Sequence, residues 1–159
     1  MAPLRAFADR TFPVRYDAPF FERALLARGL SLLLLDTRGA VGPPRVVAAL
    51  LARKEPVTAH GVYDVYLAVL GVDAGLRRRG VASMLLRRLV DKCEAEADGW
   101  MRGFVLHVHV GNEGARRLYE ANGFRVVGTI VGYYRDNAKV AEPRDAYYLR
   151  RDKGAFEIA

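Results

Sequence analysis

A run of arginine and glycine, Leu70-Gly-Val-Asp-Ala-Gly-Leu-Arg-Arg-Arg-Gly-Val-Ala82, stands between a segment that reads as a strand and one that reads as a long helix. A helix N-terminus offers unpaired backbone N–H groups and the positive end of the helix dipole, which together attract an anion. Gly80 lets the backbone approach a ligand with no Cβ in the way. Arg77, Arg78 and Arg79 place cations where the dipole disfavours them, a conflict that a bound anion relieves. The run lacks the G-x-x-x-x-G-K-[ST] spacing of triphosphate loops and the G-x-G-x-x-G of dinucleotide folds. A polyanion such as coenzyme A remains, and so does a solvated basic turn with no ligand.

His107 and His109 sit two apart on an apolar strand and share a face. Histidine near pKa 6.5 can take a proton at neutral pH. The pair could also hold a metal, but no carboxylate or cysteine stands near it, so no metal is expected. A histidine in an apolar strand reads equally as a core residue. Cys93 is the only cysteine. It falls in a helical apolar stripe and reads as a buried thiol rather than a nucleophile. With one cysteine there is no intrachain disulfide and no cysteine cluster, which suits a reducing compartment.

These residues need a frame. Ala18–Arg28 has a near-helical apolar stripe. Ser31–Asp36 and Arg45–Arg53 are apolar runs flanking a Gly/Pro turn, Asp36–Pro44, as in a hairpin. Val62–Val72 is a third strand, rich in β-branched and aromatic residues. A helix from about Leu76 to Ala97 follows, with Val81, Leu85, Leu89 and Cys93 at intervals of four. Phe104–Val110 is a strand. Asn112–Asn122 is a helix with Asn112 as N-cap and Gly123 as its stop. Strands near Arg125–Tyr134 and Ala146–Arg150 end the pattern. The order is mixed α/β in one domain, residues 1–159, with a mixed central sheet flanked by helices.

The chain has 159 residues, of which 52% are hydrophobic, and a formal charge of +7. That suits one globular core. The basic excess suits a polyanion, but the arginines are spread, without the basic clusters and stacking aromatics of a nucleic-acid binder. No DNA partner is expected. The longest apolar run, Leu30–Leu35, is too short to span a bilayer. No signal peptide is visible before Phe12, so the reading is cytoplasmic, with no membrane partner.

Arg77-Arg-Arg-Gly80-Val-Ala82 matches [QR]-x-x-G-x-[GA] and resembles the acyl-CoA signature of the GNAT family, with a strand before it, a helix after it and a second strand–helix unit following. The resemblance implies the GNAT fold and acetyl-CoA as co-substrate. It also implies that Leu70 and Val72 offer backbone groups to the pantetheine arm. Arg77, Arg78, Gly80 and Ala82 would then line the pyrophosphate loop. Leu106-His107-Val108, Asn112-Glu113-Gly-Ala115, Tyr119 and Gly123-Phe124 are also similar to the family. By that resemblance Asn112 meets the CoA arm, and Tyr119 stands near the sulfur and can donate a proton to the thiolate.

Phe12-Pro13-Val14 with Tyr16, then Tyr66, Tyr133-Tyr134 and Glu142-Pro143-Arg-Asp145-Ala146, resemble N-terminal acetyltransferases of the NatE catalytic-subunit (San) type. The resemblance implies acetyl transfer to the α-amine of nascent chains that start with Met and carry a hydrophobic second residue. It makes Tyr66 and His107 a base pair acting through an ordered water. Phe12, Pro13, Val14, Tyr16, Tyr133 and Tyr134 would form the peptide pocket, and a NatA complex on the ribosome the partner. The chain departs from the family in three ways. Only eleven residues precede Phe12, where the family has a first strand and the start of a helix, so that strand is expected to be missing. Ala82 replaces the commoner Gly. The turn at Val41–Pro44 looks lineage-specific. Other readings are a GNAT enzyme acting on lysine or a small amine, a NatA- or NatF-type relative, and a CoA-binding module without turnover. For a dead enzyme Tyr66 or His107 should be replaced, and both are present.

Overall fold

Between Val46 and Ala52 every residue is buried, which places this apolar run inside a sheet with both faces covered. The computed structural model describes residues 2–12, 16–26, 30–37, 44–58 and 60–154. Two helices come first, α1 (Ala2–Thr11) and α2 (Ala18–Leu26), followed by strands β1 (Ser31–Asp36), β2 (Arg45–Pro56) and β3 (Tyr63–Val72). Then come α3 (Val81–Ala95), β4 (Met101–His109), α4 (Glu113–Glu120), β5 (Arg125–Ile130) and β6 (Ala146–Asp152). The six strands form one sheet in the order β1-β2-β3-β4-β6-β5, in which only β3–β4 is parallel.

The helices divide by face. Leu4, Phe7 and Ala8 of α1 and Phe21 and Ala24 of α2 pack with Val46, Ala49, Leu51 and Val69. Leu85, Leu86, Leu89, Val90 and Cys93 of α3 pack with Ala48, Leu50, Val65, Leu67 and Leu106 on the other face. The spacing-of-four stripe therefore fills the larger core. Residues 2–11 are a helix, an element whose apolar stripe (Leu4, Phe7, Ala8) is too short to stand out in the sequence. Among the described residues no strand precedes β1.

Several boundaries move. The long helix starts at Val81 rather than Leu76, because Arg78 (φ 61°) and Gly80 (φ 77°) are left-handed, which a helix cannot include. The strand near Arg125–Tyr134 stops at Ile130, and Val131–Asp136 are turns. The strand expected from Phe104 begins at Met101, and the one expected to end at Arg53 runs on to Pro56. Most of the Gly/Pro turn after Asp36 lies outside the described residues.

Two bulges bend the sheet. Leu34 pairs with Ala48 and Leu35 with Val46, so Val47 is an extra residue in β2. Leu51 pairs with Val69 and Ala52 with Leu67, so Ala68 is an extra residue in β3. A bulged strand bends and twists more sharply. The β3–β4 ladder stops at the same place, its last pair being Leu67 with Leu106. Beyond it the two strands continue to Val72 and His109 without pairing.

Buried ions tie the frame together. Asp64, almost fully buried, accepts from Arg102 (2.6 Å) and Arg150 (3.1 Å). Asp73, just after β3, pairs with Arg10 of α1 (3.0 Å) and Arg45 of β2 (2.6 Å). Burial alone would raise both carboxyls, but the hydrogen bonds and charges of these arginines outweigh it and hold both below the usual range. A depressed folded-state value gives stability above the unfolded value near 3.9, lost as pH falls through the folded one. The urea midpoint should therefore fall as pH drops from about 5 to 2, and Asp64→Asn should make that slope shallower.

Gly103 is where β4 passes closest to β6. A Cβ there would lie 2.3 Å from the backbone oxygen of Arg151, which cannot move aside cheaply. Gly103→Ala is expected to cost about 1–3 kcal/mol in urea unfolding. Gly99→Ala, where a Cβ meets nothing within 4 Å, should stay within about 0.5 kcal/mol.

Candidate active site

Val72 ends β3, Asp73 is held by its two arginines, and a single 3₁₀ turn, Ala74–Leu76, follows. Arg77 donates from Nε to the Val72 carbonyl (3.0 Å) and braces the loop across its base. Left-handed backbone at Arg78 and Gly80 turns successive N–H groups to one side, the form of an anion-binding nest. Gly80 caps α3 with no side-chain hydrogen bond, and the first turn of α3 holds no acidic residue. The first N–H groups of α3 therefore face outward with Arg78 and Arg79 exposed beside them. The Val72 carbonyl takes the Arg77 hydrogen bond with one of its two lone pairs, and Leu70 and Val72, expected to offer backbone groups to a ligand, lie at the end of β3 beside this loop.

Where β3 and β4 part, a cleft of about 590 Å³ opens, lined by Leu70, Ala68, His107, Asn112, Tyr119 and Tyr134 among others. Asn112 caps α4, accepting at Oδ1 from the Ala115 N–H (3.1 Å). Tyr119, on α4, is buried edge-on against Phe124 at 5.7 Å, and burial drives its phenol far above the ordinary range. A second cavity of about 480 Å³ holds Tyr16, Phe20, Arg53, Tyr66, Tyr133 and Asn137. The two spaces share Tyr16, Ala68, His107 and Tyr134. They meet where the ladder ends.

At that junction the Tyr66 hydroxyl lies 3.1 Å from His107 Nδ1 and 3.1 Å from the Tyr133 hydroxyl. The His107 ring stacks on Tyr133 (4.3 Å between centroids, 16° between planes), with Tyr148 at 5.1 Å. Burial lowers the imidazole below its ordinary value, against a weaker upward pull from Glu55. It is therefore neutral at pH 7. Burial, and then the Tyr133 hydrogen bond, push Tyr66 far up, although the Arg53 guanidinium sits 4.4 Å above its ring. A phenol so placed keeps its proton. Burial raises Tyr16 and Tyr134 to about 12.

His109 is turned to other work. It accepts from the Gly111 N–H at Nδ1 (3.1 Å), which leaves Nε2–H to donate to the Ala141 carbonyl (3.0 Å). The shared strand face thus brings His107 to the junction and spends His109 on the loop across the cleft. Among the described residues no group of three His, Cys, Asp or Glu is gathered as a metal site. Cys93 is buried in the core and burial raises its thiol to about 11, far from a reactive thiolate.

Most of the residues singled out in the sequence come together. Phe12, whose ring lies against Gly71, and Tyr16 form an aromatic chain with Phe20, the last pair stacked at 4.5 Å. Pro13 and Val14 lie outside the described residues. Tyr133 and Tyr134 arrive on a turn rather than a strand, so both face the site, ring to ring at 4.8 Å. Sequence reasoning missed Ala68, Arg53 and Tyr148. A bulge at an alanine leaves no signal in the sequence. Arg53 and Tyr148 gain meaning only from the cross-strand neighbours that bring them to Tyr66 and His107.

Comparison with known proteins places this geometry. The acetyltransferase (GNAT) family model matches residues 3–124. N-alpha-acetyltransferase 50 of Danio rerio is 31% identical over 140 residues, covering 88% of this chain and 75% of that protein. The "Probable N-acetyltransferase san" of Drosophila melanogaster is also 31% identical, over 88% of this chain and 68% of its own. The structure of Arabidopsis thaliana Naa50 in complex with the bisubstrate analogue CoA-Ac-MVNAL superposes with a TM-score of 0.76 at 31% identity, covering 94% of this chain and 90% of that one. With its open helix N-terminus, its parted parallel strands and these relatives, the chain belongs to the acetyltransferase (GNAT) family.

Proposed function

We propose that this protein transfers acetyl from acetyl-CoA to the α-amine of peptides that begin with Met and carry a hydrophobic second residue. The observation that carries this reading is the meeting of two cavities at His107, where the two parallel strands part. One suits the acyl donor. It is walled by the end of β3 that β4 leaves unpaired, Val69 and Leu70, which suits an extended arm, and the chain that follows β3 carries the exposed Arg78 and Arg79 into the open N-terminus of α3. The other suits a peptide end, with aromatic walls for an apolar side chain. The relative crystallised with a CoA–acetyl–MVNAL analogue supports the same assignment.

Acetyl-CoA supplies the activated thioester. An α-amine has a pKa of about 7.7–8.0, so on the order of a tenth is already neutral at pH 7. The attacking nitrogen has one proton to lose as the amide forms, and His107, neutral and at the junction, accepts it through an ordered water. In the arrangement that leaves Nε2 basic, His107 donates Nδ1–H to the Tyr66 oxygen and Tyr66 donates to Tyr133. Tyr66 therefore orients the base and does not share its proton-accepting work. Tyr119 holds its proton more tightly than a thiol of pKa near 8.5, so it stabilises the departing thiolate by donating a hydrogen bond rather than a whole proton. Leu70 backbone groups, Arg78, Gly80, Ala82 and Asn112 hold the donor, with Arg77 and Val72 bracing the loop. Phe12, Pro13, Val14, Tyr16, Tyr133 and Tyr134 enclose the first side chain. The reading includes a cytoplasmic place and a NatA-type partner at the ribosome. Ribosome co-sedimentation in salt-washed and unwashed lysates tests that part. No helix among the described residues is long and apolar enough to cross a membrane.

Acetylation of free Met-Leu, Met-Ala and Ser-Glu peptides, with N-blocked and lysine-only controls, tests the substrate class. Met-Leu should be the best substrate, and activity confined to lysine peptides would sink the proposal. His107→Ala should lower kcat by about 10²–10⁴-fold, whereas Tyr66→Phe, which keeps the ring and loses the hydroxyl, should do less. The pH profile of kcat/KM should have two rising limbs. One follows the substrate amine near 7.7–8.0. The other is a fall in activity as pH drops through the His107 value, below 6.5 because burial favours the neutral ring. His107→Ala should lose that lower limb and keep the upper one.

A further inference from the structure

Beside the candidate peptide cavity a side pocket of about 330 Å³ runs beneath α2. It opens on that cavity through three shared residues, Phe20, Arg53 and Ala68, and ends at Arg23, Ala24 and Ala52. Its walls are of two kinds. Ala24, Ala52 and Ala68 are small and apolar, leaving width for a methylene stem. Arg23 and Arg53 are cationic. Arg53 gives Nε to Glu55 (2.9 Å) and keeps the rest of its guanidinium beside the Tyr66 ring. Among the described residues Arg23 has no ion-pair partner, and two cations against the single carboxylate of Glu55 leave the pocket net positive. Asp136, the other acid of the peptide cavity, is almost wholly exposed and adjoins Arg135 (3.6 Å).

We infer that this pocket reads a glutamate at the third position of the substrate peptide, its methylenes on the three alanines and its carboxylate between Arg23 and Arg53. The inference rests on the reading of the protein as an N-terminal acetyltransferase. Position follows from spacing. In an extended peptide the first and third side chains point the same way, about 6.6 Å apart. Tyr16 lies just before the second helix with its ring 4.5 Å from that of Phe20, and Phe20 and Arg23 follow three residues apart on the helix, about 4.5 Å along its axis. Tyr16 stacks on Phe20, so this row is continuous. A first side chain against Tyr16 therefore carries the third to Phe20 and Arg23. The apolar second side chain points away from the row. Glutamate carries one methylene more than aspartate to lay on the three alanines, so it is the acid the pocket suits better.

Peptides beginning Met-Leu-Glu, Met-Leu-Gln and Met-Leu-Lys, otherwise identical, separate the possibilities in steady-state kinetics on the wild-type protein and on Arg23→Gln and Arg23→Glu. The expected result is a lower KM for Met-Leu-Glu than for Met-Leu-Lys, by about three- to tenfold, as for a partly exposed ion pair with two donors. The preference should shrink in 0.5 M salt (about a 4–5 Å screening length), weaken in Arg23→Gln and invert in Arg23→Glu. Equal kcat/KM on all three peptides, or a preference for Glu that survives Arg23→Glu, overturns the inference while N-terminal acetylation stands. No turnover of any of the three by the wild-type protein overturns the parent reading and this one with it.

Discussion

Two parallel strands that stop pairing halfway leave backbone donors and acceptors facing a gap, and the whole site is arranged around that gap. β3 and β4 pair only as far as Leu67 and Leu106. At the next residue β3 bulges, with Ala68 added between the pairs Leu51–Val69 and Ala52–Leu67. A bulge bends and twists its strand, and the β3–β4 ladder ends at the residue before Ala68. Unpaired backbone is costly when buried. Here it borders the cleft, where Val69, Leu70, Val108 and His109 form part of the wall. Ala68 borders every space that opens from it.

The rest of the fold keeps that gap open and supplied. On the β4 side, the full antiparallel ladder with β6 from Gly103 to His109 holds His107 in register. On the β3 side, Asp73 fixes the strand end to α1 and β2 through Arg10 and Arg45. The loop that leads into α3 therefore starts from a fixed point. α3 packs its apolar stripe below the sheet, so its open N-terminus cannot drift. α1 and α2 cover the opposite face and bring the aromatic row of Phe12, Tyr16 and Phe20 beside the junction.

Electrostatics at the junction follow from burial rather than from nearby charges. Desolvation lowers His107 and raises Tyr66, Tyr119 and Tyr134, so four polar rings are neutral around neutral pH. A neutral imidazole can accept a proton. Neutral phenols can donate hydrogen bonds and do not repel an approaching thioester. The shifts of the imidazole and the phenols thus share one leading cause, the burial of these rings in the site.

Much of this was legible in the chain. The Arg-x-x-Gly turn, the leucines at intervals of four, the Asn112 cap and the β-branched strands are local signals, read through contacts between near neighbours. They gave the mixed sheet, the family and most of the residues at the junction, and the comparisons bear out the family and the likeness to N-alpha-acetyltransferase 50 and San. The different surroundings of His107 and His109 were not local. Both lie on one strand face, and only the turn carrying Ala141 and the hydroxyls of Tyr66 and Tyr133 tell them apart. Tyr133 and Tyr134 read as strand residues because their neighbours are apolar, yet a turn points both at the site. The bulge at Ala68 depends on how β3 must pair with β2 on one side and part from β4 on the other. Sequence by itself determined the elements, because their formation depends on neighbours within a few residues. Tertiary structure alone decided the cleft, the surroundings of His107 and the shared junction, because each is set by where strands distant in the chain stop pairing.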